Sequence, residues 1–335
     1  MNKEHKYYCY ICGEEITDAN KTNEHIILNA LGGHLHSNTI ICNDCNVRIG
    51  EAADCQLAED LSFYTDMLKV KKSRQNNHNQ VMVDEEGHEI IVNNGGETAI
   101  LRKPYINIEN KDGRKRIHLK VRNKKELHDI LTGMVKRKEL PQKYVEEIMT
   151  KAEIEEFHPI LQRQICISDE AFPSIIKSAT NYYVFMTHDA DAVKLLVPYI
   201  EGKADTKDVL YLYLSKTLPY IENNEQVTHM IHIEGTSKTR LLYAMMEYYS
   251  IYVYFIVFDK NYSGKDINMT YTYDVVTGKE VSRHFSFPLR FDDLEQFRNQ
   301  LGQYQDYLPF VEKRVANVMN IWKRHVNQLD LGYVI

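Results

Sequence analysis

The sequence predicts an α+β protein in two parts: a small metal-closed ββα module at the N-terminus, then a mixed α+β domain with an antiparallel sheet. Three observations lead there. Two Cys-x-x-Cys pairs, Cys9/Cys12 and Cys42/Cys45, bracket a short segment near the N-terminus. Residues 124–201 carry helical patterning. From about 208 to 287 the chain turns to short segments rich in Tyr, Ile and Val, punctuated by turn signals such as Asn261-Tyr262-Ser263-Gly264 and Thr277-Gly278.

Each Cys-x-x-Cys places two thiolates on one tight turn, where both reach the same ion. Two such pairs complete a tetrahedral structural zinc site, so Zn²⁺ on Cys9, Cys12, Cys42 and Cys45 is expected. The N-terminal MNKEHKYY has no apolar core, which predicts a reducing, cytoplasmic setting and argues against disulfides. Cys55 and Cys166 lack a partner pair and read as plain buried thiols. A segment this short has little core, so zinc is expected to supply much of its folding energy.

Inside the module a strand is expected around Asn23–Leu28, then the Gly32-Gly33 turn, a second strand around Thr39–Ile41, and a helix from about Cys45 to Leu61. His34 and His36, in a Gly-rich polar loop, read as exposed loop histidines, with metal or phosphate contact as the alternative. The polar run 69–80 reads as a linker, so the domains are set at 1–68 and 69–335. A hairpin is expected over 81–92, turning at Asp84-Glu85-Glu86-Gly87. A basic hairpin region follows over 99–125, with strands 99–109 and 115–122 joined at Asn110-Lys111-Asp112-Gly113. Helices are expected at 124–138, 141–156, 169–186 and 188–201. Tyr182, Tyr183 and Phe185 read as core rather than as a base-stacking platform. The strands from 208 to 287 suggest an antiparallel meander, with the doubly apolar Ile251–Phe258 at its centre. Two closing helices, 291–305 and 309–327, complete the chain.

Between the cysteine pairs stand Glu24-His25, Gly32-Gly33 and Asn38, and Asn46 directly follows Cys45. This arrangement resembles the HNH nuclease family, the ββα-metal endonucleases, and in particular its Glu-His-Ile-Ile and Cys-Asn subgroup. The resemblance covers about the first sixty residues. It implies that His25 is the general base and that Asn38 orients it. It also implies that Glu24 and Asn46 hold a catalytic divalent ion, and such hard oxygen ligands suit Mg²⁺ or Mn²⁺. Glu24 stands where many members have Asp, and Asn46 where some have His. Asp54 belongs to a pattern this subgroup shares and reads as a supporting residue or a helix cap. The resemblance further implies phosphodiester hydrolysis with 5′-phosphate products and double-stranded DNA as the favoured substrate.

Composition is that of a globular protein: 43% apolar and 26% charged over 335 residues. No apolar run reaches the roughly 18 residues that cross a bilayer, so no membrane partner is expected. The net charge of −6 is awkward for a nucleic-acid binder, but its distribution helps. Residues 1–68 carry four Lys/Arg against eleven Asp/Glu, whereas residues 102–125 carry ten against two. The basic stretch is the obvious candidate to meet a phosphate backbone, with a merely solvated face as the equal alternative. No Gly-rich phosphate loop or nucleophile elbow is present. Two rivals to a plain nuclease stand. One is a dormant effector, in anti-phage defence or a mobile element, released by a ligand or partner protein. The other is a zinc module that binds nucleic acid without catalysis.

Overall fold

A computed structural model describes residues 6–73, 76–111, 114–152, 159–163, 165–214, 218, 225–300 and 304–325. It is mixed helix and strand with antiparallel sheets, as expected. The chain forms two compact units, residues 1–77 with 165–335 and residues 78–164, a division other than one at 68/69.

The chain opens on β1 (Tyr7–Tyr8) and β2 (Glu15–Ile16), an antiparallel pair whose connection carries the first cysteine pair. Gly13, at φ +78°, closes that turn in the left-handed region open to glycine. Next come β3 (Glu24–His25) and β4 (His36–Ser37), paired Glu24↔Ser37 and His25↔His36. Gly33 makes their connection possible: a Cβ there would sit 1.9 Å from the Ile27 carbonyl oxygen. The second strand therefore falls earlier than Thr39–Ile41. The Ile40 carbonyl is taken by the Tyr10 N–H and Cys42 bridges to Lys21, so 38–41 is drawn to the first knuckle instead of to β3. Ile40 and Ile41 are nonetheless buried, as their apolar character requires.

α1 (Asn43–Ile49) begins two residues before the expected start. It runs through a π turn over Gly50–Asp54 into α2 (Cys55–Asp60), and α3 (Ser62–Met67) follows a break at Leu61. The π turn matters for the site. Eight residues of uninterrupted α-helix would leave Asn46 and Asp54 about 80° apart around the axis, and the wider i→i+5 turn takes up that excess.

Unit 78–164 holds the predicted hairpin as β5 (Gln80–Asp84) and β6 (Glu89–Val92), with β7 (Ala99–Leu101) beside them. Asp84 ties its turn by accepting from the backbone N–H groups of Glu86 and His88. The basic ribbon is β8 (Tyr105–Lys111) and β9 (Arg114–Lys120); the expected turn at Asp112-Gly113 lies outside the described residues. Ile117 and Leu119 pack on α4 (Lys124–Lys136) and α5 (Lys143–Lys151), while Arg116 and His118 are exposed. The expected continuation of α5 over 153–156 lies outside the described residues. β10 (Leu161–Gln162) completes a sheet ordered β10-β5-β6-β7.

The larger unit resumes with α6 (Phe172–Thr187), which ends at His188 in the left-handed conformation, and α7 (Val197–Ile200). Then come β11 (Leu210–Leu212), β12 (Thr228–Thr236), β13 (Leu241–Tyr248), β14 (Tyr252–Asp259), β15 (Ile267–Asp274) and β16 (Lys279–Glu280). α8 (Phe291–Gln300) and α9 (Tyr304–His325) close the chain. The six strands are antiparallel but are not a meander. Their order is β11-β14-β13-β12-β15-β16. β11 covers the free edge of β14, so β15 returns to pair with β12, which is a Greek key. The expected strand Lys279–Phe287 is paired only at Lys279–Glu280. Beyond it Glu234 captures the Ser286 hydroxyl and the Phe287 N–H, which lays Phe285 and Phe287 over one face of the sheet.

α6 covers the other face, with Tyr182 and Tyr183 against Tyr271 and Phe258. The N-terminal module joins the same body. The Leu31 carbonyl lies 3.0 Å from His229 Nε2, Thr65 shares a hydrogen bond with Tyr249, and the Tyr10 hydroxyl donates to Asn181. Among the described residues no helix is long and apolar enough to cross a membrane.

The sheet also buries a carboxylate. Glu247 on β13 is 0% exposed, accepts from the Thr228 hydroxyl and lies 3.7 Å from Arg283. Burial raises its pKa to about 7, against the pull of Arg283 and Arg314. A carboxyl raised in the folded state destabilises wherever it must ionise. The penalty is full above pH 7 and gone below the ordinary carboxylate range near pH 4.5. Glu247→Gln is therefore expected to raise the melting temperature at pH 8, by the equivalent of about 2–3 kcal/mol, and to give no gain near pH 4.5. Parallel melts of the two proteins across that range check it; a pH-independent difference would sink the idea.

Candidate metal centre and active site

The four predicted zinc ligands converge. The sulfurs of Cys9, Cys12, Cys42 and Cys45 all lie within 4.8 Å of one another, with Cys12 and Cys42 3.7 Å apart. Tetrahedral zinc with bonds of roughly 2.3 Å would set its sulfurs about 3.8 Å apart, so the cluster fits the ion. Burial pushes the Cys9 thiol up to about 11 and raises Cys45 as well. At Cys42 burial acts the same way, but hydrogen bonds from Cys45 and the other thiols hold it below its ordinary value. Arg48, one turn along α1, lies 3.7 Å from the Cys45 sulfur and pairs with Glu201 at 2.7 Å. Cys55 and Cys166 stand apart from the cluster and are exposed, not buried as expected.

Lys21 bridges to Cys42 and the Asn43 N–H donates to the Asn20 carbonyl, which sets the chain entering β3 beside the start of α1, and Glu24 and Asn46 ride on these two elements. The structure brings both side chains to a single point, but that point is an ammonium group. Lys177 Nζ lies 2.8 Å from Glu24 Oε1, 2.5 Å from Asp54 Oδ2 and 3.5 Å from Asn46 Oδ1. Glu24 is 4% exposed and Lys177 is fully buried. Around them Asn181 Nδ2 donates to Glu24 at 2.8 Å, Ser174 Oγ to Asp54 at 2.5 Å, and Asn46 Nδ2 to Thr22 at 3.2 Å. The Tyr10 hydroxyl in turn donates to Asn181. Burial lowers the Lys177 pKa, but Glu24 and Asp54 outweigh it and keep the amine protonated. Burial raises the Glu24 pKa against the pull of Lys177, and Asp54 adds to the rise.

This arrangement does not fit a divalent ion on Glu24 and Asn46. The donor chemistry is right, with carboxylate and amide oxygens facing one cationic point. That point is filled by a lysine with no room for a second cation.

Successive strand residues point to opposite sides, so Glu24 turns inward while His25 is half-buried on the outer side. Its ring lies 5.7 Å from that of His36, directly across the hairpin. Asn38 is exposed, one residue past β4. His34 and His36 are exposed, as expected of loop histidines, and the His34 ring packs at 4.8 Å on Tyr273. Sequence reading singled out Asp54 but missed Lys177, Asn181 and Ser174. A signal was available: Lys177 is the one charge in FPSIIKSATNYYVF, an otherwise uncharged helix that must be buried.

Residues 9–62 match the HNH endonuclease family. The matched segment spans the four cysteines, β3, β4 and the helix through Asp54, and is an HNH region closed by the cysteine cluster. No curated protein and no solved structure matches the chain.

Proposed function

We propose that this protein is an endonuclease hydrolysing phosphodiester bonds, DNA before RNA. The observation that carries the reading is the coincidence of the HNH match with a four-cysteine cluster that ties the β1–β2 connection to the start of α1. His25 is the general base, and Asn38, exposed one residue past β4, orients it. The outer side of the hairpin suits the role of His25, because the base must meet both water and a large polyanion. The imidazole takes a proton from water as the oxygen attacks phosphorus. The P–O3′ bond breaks and the 3′ oxygen acquires a proton, leaving a 5′-phosphate and a 3′-hydroxyl. Glu24 and Asn46 are the cation-facing residues behind the strand. The basic ribbon supplies sequence-independent affinity through exposed groups such as Arg116.

A second reading, the dormant effector, is favoured by one observation: Lys177 already neutralises the carboxylates of the site. In a zinc-loaded preparation with Mg²⁺ or Mn²⁺, nicking of supercoiled plasmid is expected once the Lys177 amine is displaced by nucleic acid or removed by substitution, sensitive to chelator and dependent on His25. Intact plasmid and intact RNA, with both the wild type and a chain lacking the Lys177 amine, would sink the nuclease reading.

A further inference from the structure

We infer that Lys177 is the resident cation of the candidate site, and that the chain at rest takes no divalent ion on Glu24 and Asn46. The inference rests on the reading of those two residues as the cation-facing pair of the nuclease.

The geometry is specific. Ser174, Lys177 and Asn181 stand at positions i, i+3 and i+7 of α6, on one face of the helix. Each meets a partner on the HNH region: Ser174 on Asp54, Lys177 on Asp54, Asn46 and Glu24, and Asn181 on Glu24. A polar stripe on an otherwise uncharged helix thus mates residue by residue with the acidic face of the module. α6 lies outside the matched segment 9–62, so the family match does not account for this stripe. The helix is held in place by the sheet, through Tyr182 on Tyr271 and Tyr183 on Phe258.

The charges explain why the amine and a metal exclude each other. Two carboxylates and an amide oxygen converge within 3.5 Å of Nζ. A divalent ion at that point would sit against a fully buried ammonium, where like-charge repulsion is strong. Entry of the ion requires the Lys177 side chain to leave. Because Lys177 and Glu24 are buried, a phosphate does not reach Nζ either. The amine is therefore a plug rather than a group that touches substrate. The HNH site is closed in this conformation, and α6, which the C-terminal sheet carries, holds it closed.

The test is Mn²⁺ binding to the full-length, zinc-loaded chain, followed by electron paramagnetic resonance and calorimetry without nucleic acid. The wild type is expected to show no stoichiometric Mn²⁺ site. Lys177→Met should gain one Mn²⁺ per chain, bound at least about tenfold more tightly than any wild-type binding, since a lost buried like charge is worth at least ~1.4 kcal/mol. Adding Glu24→Gln to Lys177→Met should abolish the gain. Lys177→Gln, which keeps a hydrogen-bonding head, serves if the methionine variant does not fold. A wild-type chain that binds one Mn²⁺ and loses it on Glu24→Gln overturns the inference. So does a folded Lys177 variant that gains no site. The binding result is independent of nuclease activity: uncut plasmid with every variant would remove the nuclease reading and leave the metal measurement standing.

Discussion

Removal of zinc is expected to unfold the N-terminal module while the six-stranded sheet survives. Structural zinc contributes on the order of 10 kcal/mol to small sites of this kind, comparable with the whole net stability of an ordinary domain. The module's own apolar core is small, centred on Ile26, Ile27, Leu31, Ile40 and Ile41. The sheet has a separate core around Met230, Tyr243, Met245 and Phe255, with no cysteine among its residues. A strong zinc chelator should therefore expose residues near 20–60 to protease, and added Zn²⁺ should restore protection. Cys42→Ser or Cys45→Ser should mimic the chelator. Cys55→Ser and Cys166→Ser, at exposed thiols outside the cluster, should not. A purified chain that carries no zinc by elemental analysis and keeps its protease resistance would contradict the assignment.

The second large effect is at His25. Replacing a general base costs typically 10²–10⁴-fold in rate, so His25→Ala, made in the chain that nicks (the wild type or Lys177→Met), is expected to reduce plasmid nicking by about that factor. Stability should stay within about 1 kcal/mol of the wild type, because the side chain is only half-buried and lies outside the apolar core. The pair of readouts matters. A loss of nicking together with a fall in melting temperature would point to a damaged hairpin, whereas a loss alone identifies the base. Nicking that persists at the wild-type rate in the alanine variant would remove His25 from the mechanism. His36→Ala is the control, since that ring lies across the hairpin but its residue is exposed and carries no assigned role.

The division between what was legible and what was not follows interaction range. Cys-x-x-Cys is a local signal, since two thiols on one turn declare themselves without any knowledge of the rest of the chain. The hairpin over 80–92 and the strands from 228 to 274 were legible for the same reason, because alternation and turn residues are written within a few positions. Burial of Tyr182 and Tyr183 on α6 also followed from pattern alone. The second module strand did not: residues 39–41 have strand character, but a hydrogen bond from Tyr10 and the knuckle at Cys42 claim that segment.

By itself, then, the sequence determined the fold class, the sulfur cluster and the HNH resemblance, all carried by residues close together in the chain. Tertiary structure alone decided the Greek-key order, because which edge of β14 remains free depends on where β11 docks. It alone joined Lys177 to Glu24, more than 150 residues away, and turned Asp54 onto the Asn46 side of its helix through a π turn. No local propensity encodes a buried ion pair between distant segments. It forms because burying any one of these charges alone is costly, and that cost exists only once the sheet has brought α6 against the module.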